Sequence, residues 1–325
     1  MLKNIVLYAA VFFLGVSLLL PGERIAEAKD FPSRPVEVII PNTPGGTQDL
    51  AVRIMGNELA RVLGVPVILT NKGGGSGAVG TEYVARAKPD GHIILSIASQ
   101  IFTILPMLNP DIRFKLSDFT PLCRYVVSRQ VIFVKKDSPY KSFADIIADA
   151  KKRPGQVTAA TVGAGTQSQF VVDLLKIYAG VDIATLPYKG GGELIISVMG
   201  GQVGFGSIGL SPVLGLLQSG DVRALASTTG SDRIKSFPNV PAIGELGYSE
   251  VGLPSPSFGY FLSKGTPKPM ADKLAAMLEK AIKNPALEKK LADSGVFPAY
   301  QDGAAFLKHL IDERKLMEAV ARKTN

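Results

Sequence analysis

Short β-rich runs alternate with amphipathic helical stretches along most of this chain, and that alternation restricts the fold more than any other feature. Strands are predicted over 36–40, 65–70, 93–97, 130–135, 157–162, 183–187, 203–207, 224–227 and 259–262. Helices are predicted over 47–63, 78–88, 142–152, 167–179, 192–200, 213–219, 269–283, 285–294 and 303–323. Strands separated by helices pair in parallel, so the expected class is α/β with largely parallel sheets. The only cysteine is Cys123, which excludes an internal disulfide and leaves ordinary apolar cores as the source of stability.

The chain's length predicts two domains, and two breaks in the pattern suggest where they meet. At Lys136-Asp137-Ser138-Pro139 an apolar strand gives way to a turn, and 247–257 is rich in Gly, Pro and Ser. A chain that leaves one domain at the first break and returns at the second has a discontinuous first domain, 29–135 with 253–325, and a second domain, 136–252. Two crossing strands then form a hinge, and the cleft lies at the carboxyl ends of the strands. Residues 1–28 carry the marks of an export signal: Lys3, an uncharged run from Ile5 to Leu20, and Ala26-Glu27-Ala28 before the predicted cut.

The candidate binding chemistry sits in two loops. Pro41-Asn42-Thr43-Pro44-Gly45-Gly46-Thr47-Gln48-Asp49 joins a predicted buried strand to a predicted helix, and 163–169 has the same layout. A Gly-rich turn at a helix start points backbone N–H groups at the positive end of the helix dipole, a ready site for a carboxylate. Asp49 in the first turn would repel an anion, which favours a role in ordering the loop over contact with a ligand hydroxyl or ammonium. Gly75-Ser76-Gly77-Ala78-Val79-Gly80 spells Gly-x-Gly-x-x-Gly, but the strand after it has no acid to hold a ribose, so no dinucleotide is expected. Two histidines, His92 and His309, and one cysteine give no metal site, and no base can be assigned to Ser76 or Ser168. The formal net charge of +8 fits an acidic ligand. No basic cluster interleaved with aromatics points to nucleic acid.

Further markers follow in a fixed order. They are Pro-Gly-Gly-x-x-Asp over 44–49, Asn71 with the glycine loop 73–80, Pro-Asp-Gly at 89–91, Asp-Phe-Thr-Pro at 118–121 and Gly-Thr-x-Ser over 165–168. Then come Pro-Tyr-Lys-Gly-Gly at 187–191, Gly-Gly-Gln-Val at 200–203, Arg-Ala-Leu-Ala at 223–226, Pro-Asn-Val-Pro at 238–241 and Gly-Thr-Pro-Lys-Pro at 265–269. In these the chain resembles the extracytoplasmic receptors of tripartite tricarboxylate transporters, the Bug-type receptors. The resemblance implies a periplasmic-binding-protein (Venus-flytrap) fold and, in the periplasm, delivery of a small organic acid to a membrane permease. It further implies two loops that grip a carboxylate, partly through water. By position the site residues are Pro44, Gly45, Gly46, Thr47 and Asp49 in one loop and Ala164, Gly165, Thr166 and Ser168 in the other. Ser76 and Gly77 line the first-domain side, and Tyr188 and Lys189 the second-domain rim. Asn42 stands where the family often has an aromatic residue against the ligand; Gln169 and Ile208 are further departures. A monomer without cofactor or metal is expected. A receptor that presents its ligand to a signalling protein, or an exported enzyme, are the alternatives.

Overall fold

The computed structural model describes residues 31–163, 165–228 and 233–324; Ala164 and the expected leader over 1–28 lie outside the described residues. The first half contains β1 (Val36–Ile40), α1 (Thr47–Leu63), β2 (Val67–Asn71), α2 (Ala78–Ala85), β3 (Ile93–Ala98), α3 (Gln100–Thr103), α4 (Leu105–Leu108), β4 (Phe119–Ser128), β5 (Gln130–Lys135), α5 (Phe143–Lys152) and β6 (Val157–Thr161). The second contains α6 (Gln167–Tyr178), β7 (Ile183–Pro187), α7 (Gly191–Met199), β8 (Phe205–Gly209), α8 (Leu210–Ser219), β9 (Val222–Ser227), β10 (Ser257–Ser263), α9 (Lys268–Ile282), α10 (Pro285–Asp293), β11 (Val296–Asp302) and α11 (Gly303–Thr324).

These elements build two α/β domains. The first sheet has the order β11-β4-β10-β3-β1-β2 and the second β7-β6-β8-β5-β9. Strands β1, β2 and β3 are mutually parallel, as are β6, β7 and β8. Strand β10 runs antiparallel to β3 and β4, β11 to β4, and β5 to β8 and β9. The expectation of largely parallel sheets is therefore corrected to mixed ones. Apolar periodicity marks a strand but not its direction, and strands that carry the chain out of one sheet and back into it oppose their neighbours.

A second correction concerns the first crossing. Residues 130–135, expected at the end of the first domain, pair with β8 and β9 in the second sheet. Only Arg129 separates β5 from β4, so the chain changes sheet there and not at Lys136. The return path lies alongside: Ser128 N–H donates to Pro256 O at 2.9 Å, and Ser257 is in register with Val127. The crossing segments are thus backbone-bonded to each other.

Each domain has its own apolar filling. Phe102, Phe114, Phe119, Phe261 and Phe306 interlock beneath the first sheet with ring centroids 5.3–6.4 Å apart. The second sheet is covered on both faces: Phe143, Ile146, Val171 and Leu174 pack on one, Leu194, Val198, Leu210 and Val213 on the other. Burying each such side chain contributes about 1.5–3 kcal/mol. These cores fix the strand ends from which the loops at the cleft emerge.

Candidate functional site

The cleft between the two domains has a volume of about 610 Å³, within the range of small-molecule pockets. On the first-domain side, α1 starts at Thr47 behind Gly46, and no side chain caps it. Asp49, only 2% exposed, organises the turn from beneath. Its Oδ2 accepts the Gly45 N–H at 3.0 Å, its Oδ1 accepts Asn71 Nδ2 at 2.9 Å, and both oxygens lie 3.0 Å from Arg53 Nε. Burial alone would raise this carboxyl, but the bonds from Arg53, Gly45 and Asn71 outweigh it and hold Asp49 below the usual aspartate range.

The glycine loop forms the next part of this wall. Ser76 adopts φ 53°, ψ 31°, the left-handed region that a non-glycine residue enters only under constraint. Its neighbours Gly75 and Gly77 also have positive φ, so the turn holds Ser76 at the cleft.

On the opposite wall α6 starts at Gln167. Thr166 caps it: its Oγ1 donates to Gly163 O at 2.6 Å and accepts the Gln169 N–H at 3.4 Å. The Ser168 hydroxyl donates to Ser207 O and accepts the Val162 N–H, so it braces the loop. Tyr188 ties its phenol to Ser197, and Lys189 receives the Thr43 hydroxyl on its backbone oxygen at 3.0 Å. That bond joins the two domains, as does Gln100 Nε2 to Gln167 Oε1 at 2.9 Å.

Of the expected site residues, Asn42, Gly46, Thr47, Ser76, Gly77, Gly165, Thr166, Ser168, Tyr188 and Lys189 line this one cleft. Pro44, Gly45 and Asp49 do not, because the Gly45 N–H is turned onto the Asp49 carboxylate beneath the loop. Of the three departures, Asn42 and Ile208 line the cleft, while Gln169 turns away to Thr161 and Asp173. Sequence reasoning missed Thr43, Gln48, Gln100, Gln130, Gln167 and Phe258, which also line it. A signal for two of them was present: both helices open on Gly-Thr-Gln, at 46–48 and 165–167.

The cleft can bind, but it is poorly equipped to react. Among its described lining residues Lys189 is the only charged one, and no His, Asp or Glu is present to move a proton. Ser257, His309 and Glu313 lie together, yet Ser257 Oγ (3.0 Å) and Glu313 Oε2 (3.3 Å) both approach the same imidazole nitrogen, Nε2. A nucleophile relay needs its base bonded through opposite nitrogens, so this group is structural. Among the described residues no three potential ligands come together to hold a metal ion.

Comparison with known proteins agrees with this fold. The family model described as "Tripartite tricarboxylate transporter family receptor" matches residues 51–325. Protein BugT of Bordetella pertussis is 31% identical over 299 residues, covering 91% of each chain. The structure of the periplasmic binding protein BugD superposes with a TM-score of 0.85 at 27% identity, over 90% of this chain and 98% of BugD. R. palustris Rpa4515, solved with adipate, gives a TM-score of 0.86 at 26% identity, over 91% of this chain and 98% of that one.

Proposed function

The chain belongs to the tripartite tricarboxylate transporter receptor family, and from that premise we propose that it captures a small organic carboxylate in the cleft and delivers it to a tripartite-type membrane permease. Proteins of this family are periplasmic solute-binding receptors and not enzymes, and the fold of this chain is theirs. The observation that carries the proposal is the pair of Gly-Thr-Gln helix starts on opposite walls of a cleft whose described lining residues include no carboxylate. Adipate in the similar Rpa4515 structure supports a carboxylate as the ligand class.

In this reading the ligand first meets the α1 loop. Gly46 and Thr47, at the positive end of the helix, provide the attraction, while the Asp49 charge is already matched by Arg53 and Asn71. Closure then brings Gly165 and Thr166 against the other side, and Thr43 fastens onto Lys189 O. Each hydrogen bond to a carboxylate contributes about 1.5–3 kcal/mol. A micromolar Kd corresponds to about −8 kcal/mol, so a few such bonds suffice after ordering costs. The receptor works as a monomer, and its leader over 1–28 is removed on export. Thermal shift against mono-, di- and tricarboxylates, with their uncharged amides as controls, tests the proposal. A ligand at 100 times its Kd adds about 2.7 kcal/mol of stability. Shifts with acids only are expected; shifts with amides only, or with none, would refute the carboxylate assignment.

A further inference from the structure

Both Gly-Thr-Gln glutamines are locked, and the locking sets the polarity of two other amides in the cleft. Gln48 Nε2 donates to the backbone oxygen of Ser96 and reaches Ser96 Oγ at 3.2 Å, the latter being bonded in turn to Tyr125 OH at 2.8 Å. A carbonyl oxygen can only accept, so the Gln48 amide cannot be reversed, and its Oε1 faces Asn42. Asn42 must then present its Nδ2, at 2.6 Å. The second wall repeats the arrangement. Gln167 Nε2 donates to Pro254 O at 3.1 Å, its Oε1 therefore accepts, and Gln100 must present Nε2 at 2.9 Å.

The consequence is that Asn42 Oδ1 and Gln100 Oε1 are left for the cleft, which both residues line. Gln100 is 5% exposed, so water is a poor substitute for a partner there. Each amide also retains one N–H. A ligand group that both donates and accepts, a hydroxyl or a carboxamide, satisfies such an edge. A second carboxylate sets oxygen against oxygen, and a methyl group satisfies nothing.

We propose that Asn42 and Gln100 make this receptor selective for a carboxylate that carries a neutral hydroxyl or carboxamide group, over the corresponding plain acid or dicarboxylate. The inference rests on the carboxylate reading of the cleft and adds a second recognition point to it.

Calorimetric titration of the exported protein with matched acids tests it. Succinamate, succinate, 4-hydroxybutyrate and butyrate form one set; homologues with one carbon fewer and one more form two others. At the length that binds best, the monoamide or hydroxy acid is expected to bind at least about tenfold tighter than the diacid and the plain acid, the scale of one hydrogen bond. Asn42→Leu or Gln100→Leu is expected to bring that ratio towards one, with melting curves confirming that each variant is folded. A diacid that binds as tightly as its monoamide, or a ratio unmoved in both variants, would overturn the selectivity and leave the carboxylate site intact. If no acid of any length binds, the carboxylate reading itself fails.

Discussion

A buried carboxylate beside the proposed anion site opposes binding unless its charge is already matched, and at Asp49 it is. Arg53 spans both oxygens of the group, Asn71 donates to Oδ1 and the Gly45 N–H to Oδ2. Asp49→Ala strands these donors and is expected to destabilise the protein by about 1–3 kcal/mol, measurable as a lower Tm, with weaker ligand binding as the loop loosens. The lowered folded-state pKa also sets a pH window. This stabilisation is complete above about pH 4, the unfolded aspartate value, and is lost as pH falls through the lower folded value. Denaturation curves from pH 5 to 2 should therefore converge for wild type and Asp49→Asn; a constant gap would rule this linkage out. Cys123 gives a plainer expectation. It is wholly buried, and burial pushes its thiol far above the ordinary range. Thiol reagents at pH 8 should label it only in denaturant, and labelling of the native protein would mean that the first sheet opens locally.

At the scale of elements, closure depends on side chains that are missing. Gly190, ahead of α7, faces the Thr43 hydroxyl so closely that a Cβ would collide with it, and Gly209 faces Thr47 in the same way. The Gly190 backbone is extended (φ −174°), a conformation open to any residue, so only the approach of the other domain requires glycine there. Gly190→Ala should leave the ligand-free Tm unchanged and cost about 1–3 kcal/mol of overpacking on closure, a loss of roughly five- to 150-fold in affinity by titration. Unchanged affinity would mean that the Thr43 contact is not part of the bound state. Such pairs explain what the sequence could and could not reveal. The helix beginning at Thr47 and the strand at Val36 were legible because apolar period and glycine punctuation are local. Strand β4 was hidden by Pro121 and Arg124 within it, and β11 by Pro298 beside a register shift, where proline is tolerated in a sheet. Asn42 was read from its place in the family pattern, where an aromatic residue is common. Gln100 was not, because its role comes from Gln167 and Pro254, distant residues that only folding brings near.

For the whole molecule, the path between domains limits how it can move. The crossing at Ser128–Gln130 and the return at Pro256–Ser257 are bonded along their backbones. Opening by bending preserves those bonds, whereas sliding would break them. Thr43 to Lys189 O and Gln100 to Gln167 are bonds that water can replace, so the ligand has to supply much of the preference for the closed form. Small-angle scattering is therefore expected to show a smaller radius of gyration with a saturating ligand than without. Equal radii, with binding verified by calorimetry, would argue for a rigid cleft.

One property of the cleft reaches beyond binding. Among the described residues its walls hold a single charged side chain, Lys189, at an exposed rim, while the chain as a whole carries +8. Loading with a carboxylate changes that total by only one or two charges, sealed away from the surface. Seen from outside, the empty and the loaded receptor present nearly the same electrical face. On the proposed function, a membrane partner that tells cargo from no cargo senses the altered outline of the closed lobes, and ionic strength should scarcely affect its choice.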